Sequence, residues 1–273
     1  MSDVLGTSLF KQQPEKFSEI AELAVLLSKE YCGTAIIRES IFVIVSNYAR
    51  KKGLPLEILR FPTKDDELWA FTFVKKGIVF VYVNTRLALC KQFFAIAHEF
   101  YHIHCYKDDS EFSIISEGSL LDRKTVDEAA ASQEDLEANA FAGLLLMPNN
   151  MIDEQMTIYG IEKENITIDD ILLFMDLFAI PFKAVILRLV EHNVISEEKA
   201  YDILNTDSDM VNSRIEITGR AKQWQQNSSK LVYFGSLKDD IEYNTEKGFL
   251  SESREEADRK SIQIIQNSFQ EKD

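Results

Sequence analysis

Residues 86–106 read RLALCKQFFAIAHEFYHIHCY, a run without Pro or Gly, and such a run after a strand-like segment is helical. It carries His98, His102 and His104, three of the four histidines in a chain of 273 residues. His98 and His102 are four positions apart, so on a helix their imidazoles stand one turn apart on one face. Both can then reach a single cation at about 2.0–2.1 Å. Glu99 falls at the edge of that face, within reach of a water held by such a cation. His104 lies about 160–240° round the helix from the other two and should not reach the same ion. This is the His-Glu-x-x-His arrangement, in which two imidazoles hold a metal and Glu takes a proton from water.

A catalytic zinc needs a third protein ligand and one open position. The helix expected over DLEANAFAGLLLMP, stopped near Pro148, is the best supplier. On it Asp135, Ala138, Asn139 and Ala142 share one face at spacings of three and four. The two alanines allow close approach to the histidine helix, which a carboxylate as short as Asp requires. Asn139 is placed to orient a histidine through a hydrogen bond. Glu134 and Glu137 compete for the ligand role. Glu137 is about 200° from Asp135, so those two cannot serve together. Tyr101 and Tyr106 are candidates to assist at the oxyanion if either faces the cleft. His192, near a helix C-terminus, is read as a partner of the helix dipole.

The remaining pattern is α+β. Phe17, Ile20, Leu23, Ala24 and Leu27 have helical spacing, and a second helix is expected over RESIFVIVSNYARKKG, ended by Gly53 and Pro55. LEILRF, LWAFTFV and GIVFVYVN are rich in β-branched and aromatic residues, with Lys75-Lys76-Gly77 as the turn of a hairpin. The strand GIVFVYV is expected to align a substrate if it lies at the sheet edge. Asn84 and Thr85 are expected to cap the histidine helix. Residues 107–134 read as a long acidic surface connection with a short helix at its end. Two or three short helices follow between 168 and 204, broken at Pro181 and at NVIS, then a short strand KLVYFG and a charged terminal helix.

Charge narrows the partners. The net charge is -15 with a pI near 4.8, and Lys and Arg are scattered, so direct nucleic-acid binding is not expected. A protein or basic polypeptide is the natural partner. No apolar run approaches the roughly 18–20 residues that cross a bilayer, and no secretory leader is visible, so a cytoplasmic protein without membrane attachment is expected. Cys32, Cys90 and Cys105 are odd in number and widely spaced, which suits reduced thiols.

FFAIAHEFYHIHCY followed by EANAFAGLLLMP resembles the ImmA/IrrE family of zinc metallopeptidases, in which this histidine motif is paired with an E-x-x-A-N-x-F-A-x-x-L-L-M-P segment. The resemblance implies a zincin-like metallopeptidase domain, a small β-sheet packed on helices, over 1–155. It also implies a small helical, helix-turn-helix-like region over 165–205, before a mostly helical segment 206–273. It implies His98 and His102 as ligands of one Zn2+ per chain, with Asp135 at the position of the family's Glu, and Glu99 as general base. Family members of this kind are intracellular regulatory proteases, often encoded by mobile elements, that cleave a helix-turn-helix repressor. The rival expectation is a non-catalytic antirepressor that binds its repressor around a structural or vestigial metal site.

Overall fold

After Gly53 the apolar period changes from that of a helix to that of a strand, and there the sheet begins. The computed structural model describes residues 5–6, 8–108, 120–122, 132–226 and 231–270. Strands β1 (Leu56–Phe61), β2 (Leu68–Lys75) and β3 (Ile78–Asn84) follow in order. β2 and β3 form an antiparallel hairpin. Its two linking residues, Lys76 and Gly77, have φ of 52° and 76°, the positive values that a two-residue hairpin turn matching strand twist demands.

β3 also pairs with β1, in parallel. The short strands β4 (Leu120–Asp122) and β5 (Tyr233–Phe234) complete a mixed sheet in the order β4-β2-β3-β1-β5. The condition under which GIVFVYV would align a substrate, a place at the sheet edge, is not met, because β3 fills the place between β1 and β2 and both its sides are paired. The edge beside β2 is β4, within the segment read as an acidic connection. The rest of that connection, 109–119 and 123–131, with the short helix expected at its end, lies outside the described residues.

Strand alternation sets two faces. Ala70, Thr72, Val79, Val81 and Val83 point inward and are buried. Phe71, Phe73, Phe80 and Tyr82 form an aromatic row on the other face, with Phe73 and Phe80 stacked at 5.0 Å. Against the inner face lies α4 (Leu89–Asp108), the histidine helix.

α4 begins later than the sequence suggested, and Asn84 does not cap it. The fully buried Asn84 instead accepts from the Thr63 and Arg86 amides at 3.1 and 3.0 Å and donates to the Asp65 and Leu68 carbonyls. It ties the end of β3 to the β1–β2 loop. The first turn of α4 is held from far along the chain: the Leu89 amide donates to the Gln226 carbonyl at 3.3 Å, and Phe93 meets Trp224 edge-on.

α5 (Gln133–Leu146) packs along α4, and Ala138 and Ala142 have no exposed surface. The preceding helices α1 (Leu9–Gln12) and α2 (Pro14–Tyr31) lie against α5, while α3 (Ile41–Lys51) supports α4. After α5 come α6 (Asn149–Tyr159), α7 (Ile168–Phe178), α8 (Phe182–Glu191), α9 (Glu197–Leu204), α10 (Ser208–Thr218) and α11 (Lys222–Gln225). α12 (Leu237–Glu246) and α13 (Glu252–Gln270) end the described chain.

One buried side chain ties the helical segment to the half that carries the candidate site. Arg188 of α8, 2% exposed, donates to the Met147 carbonyl at the end of α5, to Asn149 Oδ1 at the start of α6, and to Glu191 Oε2. Gly143 gives it room, since a Cβ there would lie 2.9 Å from Arg188 Cδ. One cluster of buried apolar side chains runs from Leu5 to Trp224. Among the described residues no helix is long and apolar enough to cross a membrane.

Candidate metal centre

α4 delivers His98, Glu99 and His102 into the interior at 0%, 0% and 1% exposure. The two imidazoles face each other through Nε2, 3.1 Å apart. Each Nδ1 meets an oxygen acceptor: Asn139 Oδ1 at 2.9 Å for His98 and Glu134 Oε1 at 2.6 Å for His102. With acceptors at both Nδ1 atoms, a proton held on each Nδ1 leaves the Nε2 lone pairs turned toward a common point.

The third group arrives by a helix start. Ser132 precedes α5 and Asp135 is its third residue, and the two form a capping box. Asp135 Oδ2 accepts from the Ser132 amide at 3.1 Å and from its hydroxyl at 2.7 Å, while the Ser132 hydroxyl accepts from the Asp135 amide. The other oxygen, Oδ1, lies 3.7 Å from Nε2 of both histidines. It is buried and has no hydrogen-bond partner.

A buried carboxylate oxygen without a donor is costly, and two imidazole lone pairs aimed at one point give it none. A cation among the three resolves this. Ligand atoms arranged tetrahedrally around zinc stand about 3.3 Å apart, and the observed separations of 3.1, 3.7 and 3.7 Å bracket that value. His98, His102 and Asp135 are a group among the described residues whose donor atoms lie close enough for one ion. These residues fit a metal.

Glu99 has the same signature. Its Oε2 accepts from the Thr72 hydroxyl at 2.5 Å, and its Oε1 is buried without a partner. Burial raises the Glu99 carboxyl above the ordinary range, against the opposing pull of His102, His98 and Thr72. Burial also acts to raise Asp135, but the nearby His98 and His102 imidazoles and the hydrogen bonds from Ser132 hold it below the usual carboxylate range. For His102 burial acts to lower the value, and Glu134 with the neighbouring carboxylates outweighs it and leaves it raised.

The other sequence candidates fall elsewhere. Glu134 binds the far nitrogen of His102, and Glu137 accepts from the Tyr101 hydroxyl on a different side of α5. Tyr101 is thereby tied to Glu137, and Tyr106 packs half-buried against the core. His104 bonds the Tyr48 hydroxyl at 2.9 Å. His192 follows the end of α8 and bonds Asp153 across to α6. Sequence reasoning missed Thr72, although a hydroxyl among the inward apolar positions of β2 was a visible signal.

A His-Glu-x-x-His helix laid against a small mixed sheet, with a carboxylate brought in from a second helix, defines a zincin-like metallopeptidase fold. The family model described as the IrrE N-terminal-like domain, Peptidase_M78, matches residues 51–190, just over half of the chain. The chain belongs to that family, and its matched segment is a metallopeptidase-like domain spanning the sheet hairpin, α4, α5 and the Arg188 lock. No curated protein and no solved structure matches the chain.

Proposed function

We propose that this protein is a zinc-dependent endopeptidase of regulatory type that acts in the cytoplasm on a helix-turn-helix transcriptional repressor. The observation that carries the reading is the pair of buried, partnerless carboxylate oxygens, Asp135 Oδ1 and Glu99 Oε1, beside two converging imidazoles. His98, His102 and Asp135 would hold the ion, Asn139 and Glu134 fix the rings, and Glu99 is the general base. Bound there, zinc would supply a water activated at neutral pH and a Lewis acid for the peptide carbonyl. Glu99 takes the water's proton on Oε1 and returns it to the leaving amine. Thr72 keeps Oε2 occupied and leaves Oε1 as the free oxygen. The family match supports the peptidase class, and the acidic surface suits a basic protein partner.

Metal content of wild type and Asp135→Ala tests this reading. We expect one zinc per chain in the wild type and loss of the metal in the variant, because two imidazoles remain from a three-donor site. The zinc-loaded protein should cut a repressor encoded beside it into smaller fragments. A repressor that stays intact while bound would favour a non-catalytic antirepressor, and a wild type that takes up no zinc would refute the metal site.

Thr72→Val removes the hydroxyl that donates to Glu99 Oε2 and adds no bulk. An unmet buried acceptor costs about 1–3 kcal/mol, so kcat should fall about 10-fold with KM and zinc content unchanged. Unaltered kcat would show that Glu99 needs no such anchor.

A further inference from the structure

We propose that Ser132 is a positioning residue for the metal, setting the orientation of Asp135 through the helix cap. The inference rests on the metal reading above and adds a residue and a coupling to it. Both polar groups of Ser132, the amide and the hydroxyl, grip the same oxygen of Asp135, Oδ2, at 3.1 and 2.7 Å. A carboxylate is planar, so fixing Oδ2 and the backbone fixes where Oδ1 points. Oδ1 then stands equidistant, at 3.7 Å, from Nε2 of His98 and of His102. The cap is thus the device that presents the third donor.

The same box recurs where there is no metal to serve. At the start of α7, Thr167 grips Asp170 Oδ2 with its amide at 2.9 Å and its hydroxyl at 2.7 Å. There Thr167 is exposed and Asp170 only half-buried, and neither bonds an imidazole. Capping as such therefore needs only the Oδ2 interactions; what differs at Ser132 is that the partner carboxylate has a second oxygen buried among the histidines. The two boxes let helix capping be separated from metal positioning within one protein.

Ser132 itself is exposed, while the oxygen it governs is buried. A contact that displaces this serine would loosen the third donor without entering the site. The end of α5 nearest the surface is thus a point from which metal affinity can be tuned.

The test is zinc affinity measured by chelator competition on the full chain, with thermal melting of the metal-free protein beside it, for wild type, Ser132→Gly, Ser132→Thr and Thr167→Gly. Glycine is a fair N-cap, costing a helix only a few tenths of a kcal/mol against Ser or Thr, so Ser132→Gly chiefly deletes the hydroxyl grip. We expect Ser132→Gly to bind zinc about 10-fold more weakly, the lower end of what loss of a ligand's orienting partner costs. Ser132→Thr, which keeps the hydroxyl, should restore affinity, and Thr167→Gly should leave it at the wild-type value with a similar shift in melting. Equal zinc affinity in wild type and Ser132→Gly, or an equal loss in Ser132→Gly and Thr167→Gly, would overturn the proposal while leaving the metal site standing. Failure of the wild type to bind zinc would overturn both.

Discussion

Glu99→Gln is expected to retain one zinc per chain and to lose cleavage by about 100- to 10,000-fold, the range a positioned general base contributes. The substitution is nearly isosteric, and its amide oxygen can still accept from the Thr72 hydroxyl that now donates to Oε2 at 2.5 Å. Removing a fully buried carboxylate should not destabilise the fold, since burial penalises its charged form. The change therefore acts on the proton acceptor and spares the imidazoles and Asp135. Zinc quantified by elemental analysis, with fragment formation followed by mass spectrometry, checks it. Cleavage at the wild-type rate with zinc bound would refute the assignment of Glu99.

The second large effect concerns stability. Arg188→Leu should destabilise the protein by about 3–5 kcal/mol, because it leaves Glu191 as a buried carboxylate without its counter-charge. It also deprives the Met147 carbonyl and Asn149 Oδ1 of a donor. Burial already pushes the Glu191 carboxyl upward, with Arg188 opposing it. The double variant Arg188→Leu with Glu191→Leu should recover a large part of the loss, since apolar replacement of a whole buried pair is often neutral. Denaturant unfolding of wild type and the two variants measures this, and a single variant as stable as wild type would show that the lock contributes nothing.

Much of the geometry of the candidate metal centre could be read from spacing because it rests on helices. A four-residue interval fixes His98 and His102 on one face wherever the helix sits, and the Asp135–Asn139 interval does the same on the second helix. The small residues Ala138 and Ala142 indicated which face meets the histidines. Sheet order was not legible in this way. Strand periodicity gives faces and not neighbours, so the central place of β3 depended on a parallel pairing with β1 that skips over β2. Three-residue and two-residue strands such as β4 and β5 carry too little alternation to be seen. Arg188 was hidden for a different reason: on an amphipathic helix a lone arginine looks solvated, and only the close approach of Gly143 and the end of α5 reveals it as interior.

The brace on the first turn of α4 also has a temporal meaning. Leu89 is held by the Gln226 carbonyl and Phe93 by Trp224, partners that a ribosome makes more than a hundred residues after the histidines. A nascent chain that has produced α4 and α5 carries every residue of the candidate metal site, while the two late contacts on the first turn of the histidine helix are still missing. Domains generally fold as units as they emerge during synthesis, and here the unit closes late. The order of translation thus places these two contacts well after the residues of the candidate site.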